Sequence, residues 1–448
     1  MIVVIGAGPA GLAAAREIAQ AGESLIVIDS QPRIGGQYWR HRGEVSGYKS
    51  SRSQNYFDEI FTNPLITLIT GAYIWSAEKT DTGFILNYLR GGSEHQIFAT
   101  RIILATGAYD RSLPFPGWSV PGVMTPGAAQ ALLKGNGVVA GDEVIISGTG
   151  PFLLPVATAL AEAGAKVSVF EAQSPFRWLK SFPALLLNPG KFIELLYYLR
   201  KFFVYRIPLK FGYAVTRYEN GSATVSSVSH NLNKSGTHWE AKADVVAVGW
   251  GFQPDVTLGG ILGCQEKLDR DGTVIFKVDA HQQSSIPHIW IAGEATGIGG
   301  ADLALIEGEI AGRAAIKKRI GLLRRFTRFR KRLFAKALQR SYPVSDGWQS
   351  WLDDETLICR CEEVTQRQIC HSVVQLAADS ARTSKLFTRA GMGLCQGRIC
   401  ARTVNDLVSV QLGIVVSDDE RIAAHNRPIA APLSLGLLGG LQGDGKKG

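Results

Sequence analysis

Two segments of the chain repeat one pattern of apolar and polar positions. In each segment a short apolar run leads into a glycine-rich turn, a helix follows, and a second apolar run ends in an acidic residue. The first copy spans residues 2–29 and the second spans residues 143–171. Strands that alternate with helices in this order form parallel sheets. The pattern therefore predicts an α/β protein with two copies of one fold.

The turn of the first copy has the spacing Gly6-x-Gly8-x-x-Gly11. At this spacing the first glycine permits a tight turn, the second lets the backbone approach a pyrophosphate, and the third allows close packing of helix on strand. The helix N-terminus offers free N–H groups to the phosphates, and Asp29 can accept hydrogen bonds from ribose hydroxyls. A Rossmann-like dinucleotide site is predicted at Gly6, Gly8, Ala10, Gly11, Asp29 and Ser30.

The second copy departs from this pattern at the third glycine. Gly148 and Gly150 repeat the turn, and Glu171 follows at the same offset as the acid of the first copy. Leu153 replaces the third glycine, so helix and strand cannot approach as closely as in a standard NAD site. Gly148, Gly150 and Glu171 are the candidate contacts for a second nucleotide. Both an adenine nucleotide and a purely structural role stay open for this fold.

The net charge of +9 comes from one basic segment. Twelve Lys or Arg residues and no acid lie between Ile310 and Ser345, so the rest of the chain is slightly acidic. No basic pattern typical of nucleic-acid binding occurs elsewhere, and no nucleic-acid partner is expected. No run reaches about 18 apolar residues, so no transmembrane helix is predicted.

Apolar residues recur every three or four positions through this basic segment, which predicts an amphipathic helix with one buried stripe. The stripe consists of Ile316, Ile320, Leu323, Phe326, Phe329, Leu333 and Ala337. The helix is expected to act as a linker within residues 319–352. Its role stays open between a linker packed on its own protein, a contact for an acidic partner subunit and a contact with an anionic membrane surface.

Three further stretches resemble the FAD-binding segments of the two-dinucleotide-fold flavoprotein family. They read RIGGQYW, IILATGAYDRSLPFPG and IWIAGEATGIGG. The resemblance implies that FAD binds the first fold and that the FAD domain, residues 1–112 and 271–318, is split around the second domain, residues 113–270. It also implies that six more residues contact FAD, namely Gly36, Gln37, Thr106, Gly107, Gly293 and Glu294.

Disulfide reductases of that flavoprotein family need a pair of thiols beside the flavin. The only cysteine before Cys359 is Cys264, which has no partner within its domain and is expected to be a small buried residue. Residues 200–270 are interpreted as strands and turns that complete the second fold, beginning with KFFVYRIPLKF. No separate substrate domain remains. Arg111 is the nearest candidate for binding a substrate carboxylate, but its setting in RSLPFPG resembles a structural crossing between domains.

Four cysteines lie together near the C-terminus. Cys359 and Cys361 form a C-x-C pair, and Cys395 and Cys400 form a C-x4-C pair. A capping box of the form T-x-x-Q at residues 365–368 predicts a helix to about residue 375, and a second helical pattern starts at Cys400. Four thiolates that converge can hold zinc or an iron–sulfur cluster, but a C-x-C pair is unusual for zinc.

These residues resemble the [2Fe–2S] domain of bacterioferritin-associated ferredoxin. The resemblance makes Cys359, Cys361, Cys395 and Cys400 the cluster ligands, with glycines 391, 393 and 397 giving room near the sulfurs. The C-x4-C spacing is similar to that of the larger subunit of heteromeric amine and amino-acid dehydrogenases. That group holds opine oxidase, D-hydroxyproline dehydrogenase, hydrogen cyanide synthase and the sarcosine oxidase alpha subunit. The cluster domain is expected at residues 353–412, followed by a tail at 413–448.

The second resemblance implies a flavin and iron–sulfur subunit of a dehydrogenase that oxidises an amino acid, imino acid or opine at its C–N bond. It implies a smaller partner subunit with its own FAD and the substrate pocket, and an FMN at the subunit interface. The electron acceptor is a membrane component or a soluble carrier, and the expected location is the cytoplasm or the inner face of the membrane. A self-contained NAD(P)H-dependent ferredoxin reductase and a non-enzymatic redox sensor stay open as alternatives.

Overall fold

The computed structural model describes residues 1–42 and 51–436. Its first part contains β1 (Ile2–Ile5), α1 (Pro9–Ala19), β2 (Leu25–Asp29), α2 (Ser51–Thr62), β3 (Ile66–Thr70), β4 (Ala72–Lys79), β5 (Phe84–Arg90), β6 (Ser93–Ala99), β7 (Arg101–Leu104) and β8 (Ala108–Asp110). β1 runs parallel to both β2 and β7. All of β1 is buried, as expected for a central strand of a parallel sheet that is covered on both faces.

The second α/β unit follows without a long linker. It contains β9 (Val123–Met124), α3 (Pro126–Asn136), β10 (Glu143–Gly148), α4 (Leu153–Glu162), β11 (Lys166–Glu171), a 3₁₀ helix (Pro175–Ser181), α5 (Phe182–Leu186), α6 (Pro189–Val204), β12 (Leu209–Phe211), β13 (Tyr213–Glu219), β14 (Ser222–Val228), β15 (Lys234–Lys242), β16 (Val245–Gly249) and β17 (Phe252–Pro254). Its parallel sheet has the order β12-β11-β10-β16-β9. β17 pairs with β8, where the chain crosses between the two units.

The chain then returns to the first unit. This part contains α7 (Thr257–Ile261), β18 (Glu266–Leu268), β19 (Val274–Phe276), β20 (Ile289–Ile291), a 3₁₀ turn (Gly293–Thr296), α8 (Ala301–Ala315) and α9 (Leu322–Ser341). β20 pairs with β7 and completes a sheet of order β20-β7-β1-β2-β3. α8 packs tightly on α1, since a Cβ on Gly308 would lie 2.0 Å from the carbonyl oxygen of Ala10.

The C-terminal part is a small, mostly helical domain. It contains β21 (Leu357–Cys359), β22 (Val364–Thr365), α10 (Gln366–Val374), α11 (Ala381–Thr388), α12 (Ala401–Leu412) and α13 (Asp418–Ala423). The predicted capping box is present at the start of α10, and α12 begins directly after Cys400 as predicted. α11 was not predicted.

The cluster domain shares a hydrophobic core with the second α/β unit. Trp351 packs against Trp250 in a tilted arrangement with ring centroids 5.5 Å apart, and its indole N–H donates to the carbonyl of Leu232. From the second unit, the indole N–H of Trp118 donates to the carbonyl of Leu357 at 2.6 Å. One continuous cluster of buried side chains joins the two parts. The C-terminal domain is therefore packed in place rather than tethered.

Two predicted element boundaries were wrong. The segment KFFV at residues 201–204 was interpreted as strand but is the last turn of α6. The basic stretch at residues 314–340 was interpreted as one helix, but α8 ends at Ala315, the next six residues are not helical, and the linker helix begins at Leu322. Across the residues that the structure describes, no helix is both long and apolar enough to cross a bilayer.

Candidate redox sites

The three glycines of the first turn lie in three different environments. Gly6 has φ +102°, and a Cβ on it would lie 2.2 Å from the carbonyl oxygen of Ala105. A Cβ on Gly11 would lie 1.8 Å from the carbonyl oxygen of Gly6. Gly8 has an ordinary φ of −78°, and its added Cβ would contact only Gly36, at 3.9 Å. Backbone packing therefore requires Gly6 and Gly11, while the space beside Gly8 is open.

Three segments that were predicted to bind FAD meet at this turn. Gly36 has φ +60°, and a Cβ on it would lie 2.9 Å from the Cα of Gly8. The backbone N–H of Gly35 donates to the carbonyl of Ala7, which holds the two loops together. From the third segment, a Cβ on Gly293 would lie 3.0 Å from the Cβ of Ala10. The fold thus brings together loops that are far apart in sequence around one helix N-terminus.

The carboxylate of Asp29 holds the first turn in shape. It accepts hydrogen bonds from the backbone N–H groups of Ala7 at 2.5 Å and Gln31 at 2.7 Å. Burial raises the pKa of Asp29, and these two hydrogen bonds oppose the shift. Ser30 is partly exposed beside it, and the side-chain oxygen of Gln37 accepts a hydrogen bond from Arg40.

Glu294 lies on the turn that follows β20. Its two carboxylate oxygens accept from the backbone N–H groups of Gly299 and Gly300, at 2.8 and 2.9 Å. Burial raises the pKa of Glu294 to about 7. The carboxylate therefore shapes the loop between β20 and α8, the loop that the resemblance assigns to FAD.

Sequence reasoning missed a second acid at this loop, Glu307 on α8. Its side chain is fully buried, and it accepts hydrogen bonds from the N–H of Gly293 and the hydroxyl of Thr296. Its other oxygen lies 2.7 Å from a guanidinium nitrogen of Arg332, in an ion pair without an aligned hydrogen bond. Arg332 also donates to the carbonyl of Thr296 at 2.8 Å. An acid within the apolar stretch ALIEGEIAG was the available signal.

The linker helix α9 turns Arg324, Arg328 and Arg332 inward, which contradicts the predicted buried stripe. Leu323, Phe326 and Phe329 are 78%, 54% and 57% exposed. Ile320 and Ala337 are buried, and Ile316 and Leu333 are partly buried. Arg324 instead pairs with Glu17 and Glu309, while Arg328 and Arg332 face Glu307. The buried carboxylates of α1 and α8 need cations, and this requirement decides which face of α9 is inward.

The return strand of the first unit connects to the cysteine loop. The hydroxyl of Thr106 donates to the carbonyl of Asp255 at 2.6 Å, and the N–H of Asp255 donates to the carbonyl of Gly107. Two residues on, the hydroxyl of Thr257 accepts from Arg398, which also donates to the carbonyl of Cys395. The hydroxyl of nearby Tyr109 donates to the carbonyl of Arg398 at 3.2 Å. These contacts hold the C-x4-C loop beside Thr106 and Gly107.

The second glycine turn has the same local construction as the first. A Cβ on Gly148 would lie 1.8 Å from the carbonyl oxygen of Gly249, whereas Gly150 has open space around it. Glu171 accepts from the hydroxyl of Thr149 and from the N–H groups of Gly150 and Gln173. Burial raises the pKa of Glu171 to about 7.

The segment that follows α9 packs against the loop that follows Glu171 in the second fold. The amide of Gln173 donates to the carbonyl of Pro343, just after α9, and the indole N–H of Trp178 donates to the hydroxyl of Tyr342. Leu153, in the place of the third glycine, is buried at the start of α4. The second fold thus differs from the first in both its glycine pattern and its surroundings.

The four C-terminal cysteines lie close enough together to interact. The thiol of Cys400 interacts with those of Cys359, Cys361 and Cys395. The neighbouring thiol of Cys400 lowers the pKa of Cys359 to about 5. Within the described residues no three potential ligands converge on a single-ion site. Four cysteines can hold a [2Fe–2S] cluster, and a C-x-C pair is unusual for zinc.

Glycines leave room around the thiols. A Cβ on Gly393 would lie 2.3 Å from the Cβ of Cys361, and one on Gly391 would lie 3.4 Å from the Cα of Gly397. The N–H of Gly391 donates to the sulfur of Cys359 at 3.4 Å. Only glycine fits at position 393, and backbone N–H groups can point at sulfur. These residues fit the predicted cluster.

Arg111, the sequence candidate for a substrate carboxylate, lies inside the protein. It is 5% exposed and lies near charged residues of several segments, with Asp406, Asp271 and Asp346 opposing the charge of Arg402. Burial lowers its pKa to about 9. Cys264 is also buried, and burial raises the pKa of its thiol to about 11. Both side chains are buried, so Arg111 is not placed to bind a substrate carboxylate and Cys264 is not placed to act as a redox thiol.

Comparison with known proteins covers both parts of the chain. The family profile of pyridine nucleotide-disulphide oxidoreductases matches residues 1–310, and that of the BFD-like [2Fe-2S] binding domain matches residues 357–409. The chain is 33% identical to one of the subunits of opine oxidase from Agrobacterium tumefaciens (strain Ach5), over 91% of this chain and 85% of that protein. It is 31% identical to hydrogen cyanide synthase subunit HcnB of Pseudomonas protegens, over 90% and 91%. The crystal structure of L-proline dehydrogenase from P. horikoshii has a similar fold, with a TM-score of 0.65 and 19% identity, over 98% of this chain and 78% of that one.

Proposed function

The chain belongs to the pyridine nucleotide-disulphide oxidoreductase family, and on that premise we propose that it is the electron-transfer subunit of a heteromeric dehydrogenase that oxidises an amino acid, imino acid or opine at its C–N bond. The chain is a FAD-dependent oxidoreductase with a [2Fe–2S] domain. Two relatives that span most of its length are named as subunits of opine oxidase and hydrogen cyanide synthase. Those names support an amine or amino-acid substrate for the complex.

We propose that FAD is held by the first α/β unit, residues 1–112 and 271–318. The contacts are Gly6, Gly8, Ala10, Gly11, Asp29, Ser30, Gly36, Gln37, Thr106, Gly107, Gly293 and Glu294. The open space beside Gly8 suits a pyrophosphate, because the other two glycines of the turn are filled by backbone. The N-terminus of α1 would stabilise the phosphate charge.

Cys359, Cys361, Cys395 and Cys400 would hold the cluster within residues 353–412. When bound, FAD supplies the exchange between two-electron oxidation and one-electron transfer, and the cluster supplies a one-electron carrier. The residues of this chain fix where the two groups are held. The proposal of electron transfer between FAD and the cluster depends mainly on one observation. The C-x4-C loop contacts the return strand through Arg398, Thr257 and Asp255, which reach Thr106.

The substrate pocket belongs to another subunit in this proposal. Arg111, the sequence candidate for a substrate carboxylate, is enclosed and charge-balanced within the protein. A smaller subunit with its own FAD would bind the substrate, and an FMN would lie between the subunits. The second fold, residues 113–270, would serve mainly as a scaffold, because its edge is covered by Tyr342 and Pro343. We propose that the complex lies in the cytoplasm or at the inner face of the membrane, with a membrane component or a soluble carrier as acceptor.

Activity measurements on the chain alone and on the complex test this proposal. The chain is produced alone and together with the product of a neighbouring gene that encodes a second flavoprotein. Dye reduction is followed with opines, proline derivatives, sarcosine and glycine. We expect no turnover by the chain alone and turnover by the complex on at least one substrate. Steady turnover by the isolated chain would refute the division of labour.

Reduction by NADH separates the proposal from a self-contained ferredoxin reductase. We expect slow or no flavin reduction by NADH in the isolated chain, because the second fold lacks the third glycine and is covered at its edge. Rapid NADH-dependent ferredoxin reduction would favour the reductase instead.

A further inference from the structure

Helix α6 exposes large apolar side chains over most of its length. Of its sixteen residues only Phe202 is buried. The most exposed are Phe192, Ile193, Leu196, Tyr197, Phe203 and Val204, each at 49% or more, with Phe203 at 85%. A helix with one polar face toward water and one apolar face toward the core is the usual arrangement on a protein surface. α6 has its apolar residues on the outside.

The exposed apolar surface covers more than one side of the helix. Together with Leu195 and Leu199, these side chains span about 200° of the circumference at 100° per residue. The arc contains one charged residue, Arg200.

The helix is attached to the protein at its two ends. Lys201 pairs with Glu162 near the C-terminal end, and Lys191 pairs with Asp302 near the N-terminal end.

Basic residues are frequent along this part of the sequence, and Arg200 and Arg206 are exposed. Between Pro175 and Lys210 the sequence has seven Lys or Arg residues and one acid, Glu194. Exposed apolar residues also precede the helix, with Phe176 at 75% and Leu186 at 66%. An interfacial helix is recognised by this combination, a wide apolar face with Lys and Arg beside it. The same charges attract anionic lipid headgroups.

The basic linker helix α9 lies next to the start of α6. The side-chain amide of Asn188 donates to the carbonyl of Arg330. Asp302 forms ion pairs with both Lys191 of α6 and Lys331 of α9. α9 contributes its own exposed apolar residues, including Leu322 at 80% and Leu323 at 78%. Two neighbouring helices therefore present exposed apolar residues from one region of the protein, and α9 also has the exposed cations Arg325 and Lys336.

We propose that α6, with the 3₁₀ helix and α5 before it, inserts into the headgroup region of an anionic membrane and anchors the protein to its surface. An arc of about 200° corresponds to a helix immersed by about half, as an interfacial helix is. A flat protein partner would cover a narrower stripe, and an acidic one would leave the apolar arc unmatched. The proposal is independent of the substrate and activity of the complex.

Vesicle flotation with the complete, cofactor-loaded chain tests this anchor. Vesicles contain phosphatidylcholine alone or phosphatidylcholine mixed with phosphatidylglycerol. We expect binding to the mixed vesicles and protection of residues 189–204 from hydrogen exchange in the bound state. The double variant Ile193→Ser/Phe203→Ser should bind at least about tenfold more weakly, since two large apolar side chains are removed from the interface. Arg200→Gln should bind the anionic vesicles about fivefold more weakly.

Val415→Ser is the matched control, because Val415 is 94% exposed but lies in the loop after α12, outside the segment that is proposed to insert. It should bind vesicles like the unchanged chain. Far-UV circular dichroism and FAD content verify that each variant is folded. Absence of vesicle binding by the unchanged chain would overturn the proposal. So would a double variant that binds vesicles normally but fails to assemble with the smaller subunit or with a second copy, because α6 would then be a protein interface.

Discussion

Replacing Arg332 with methionine should destabilise the first α/β unit through Glu307, a carboxylate with no exposure to solvent. Arg332 is the cation nearest to this carboxylate, at 2.7 Å, and Arg328 is the next, at 3.6 Å. Arg332→Met keeps much of the side-chain length but removes the charge. It also removes both donors from Thr296, on the loop that we assign to FAD.

The cost follows from leaving a buried charge without its partner. Removing one member of a buried ion pair typically costs 3–5 kcal/mol, so roughly 3 kcal/mol is expected here because Arg328 still faces Glu307 and the pair lacks an aligned hydrogen bond. Glu307→Gln removes the charge that Arg332 neutralises. The double variant should therefore be more stable than the sum of the single effects predicts, by about 1 kcal/mol or more.

Urea unfolding followed by circular dichroism measures the three variants, with Lys336→Met as control. Lys336 lies on the same helix but is exposed, so its replacement should change the free energy of unfolding by less than about 0.5 kcal/mol. FAD titration of folded Arg332→Met should give weaker binding than the unchanged chain. A loss below about 1 kcal/mol for Arg332→Met, or strict additivity in the double variant, would refute the inward role of this arginine.

Three further variants test the cofactor sites and the domain contact. Gly8→Val should fold, since Gly8 has an ordinary φ and open space, but should lose FAD affinity at least about tenfold; stoichiometric FAD after gel filtration would contradict the site. Cys361→Ser should abolish acid-labile sulfide and the low-temperature EPR signal after dithionite. The control Cys370→Ser, at a cysteine of α10 outside the predicted ligand set, should retain both. A full signal in Cys361→Ser would rule out Cys361 as a ligand. Trp118→Phe removes the hydrogen bond to Leu357 and should lower the free energy of unfolding by about 1 kcal/mol in urea titrations, and an unchanged midpoint would count against this contact.

Local signals in the sequence predicted local features of the structure. The glycine turns, their acids, the capping box and the start of α12 each depend on residues within one or two turns of chain. The inward face of α9 depends instead on Glu17, 307 residues before Arg324, and on acids of α8. Periodicity shows which residues of a helix are apolar, but it cannot show that carboxylates of α1 and α8 lie opposite α9 and pair with its arginines.

The same limit explains α6. Its final turn was interpreted as strand because KFFV is rich in aromatic and β-branched residues, which favour strands when considered alone. An extended apolar run is usually a sign of burial, yet here the run is helical and exposed. The cysteines were grouped from their sequence spacing, whereas the nearness of Cys400 to the other three thiols requires the three-dimensional arrangement.

The core shared by the second α/β unit and the C-terminal domain has a consequence for kinetics. Carrier domains that swing between donor and acceptor must push solvent aside, so their electron-transfer rates fall as viscosity rises. Here Trp118, Trp250 and Trp351 fix the C-terminal domain in one position. Transfer within this chain should therefore keep its rate in glycerol or sucrose. Removing residues beyond 342 would also expose the tryptophan-lined face of the second unit, so the first 342 residues would aggregate rather than persist as a smaller flavoprotein.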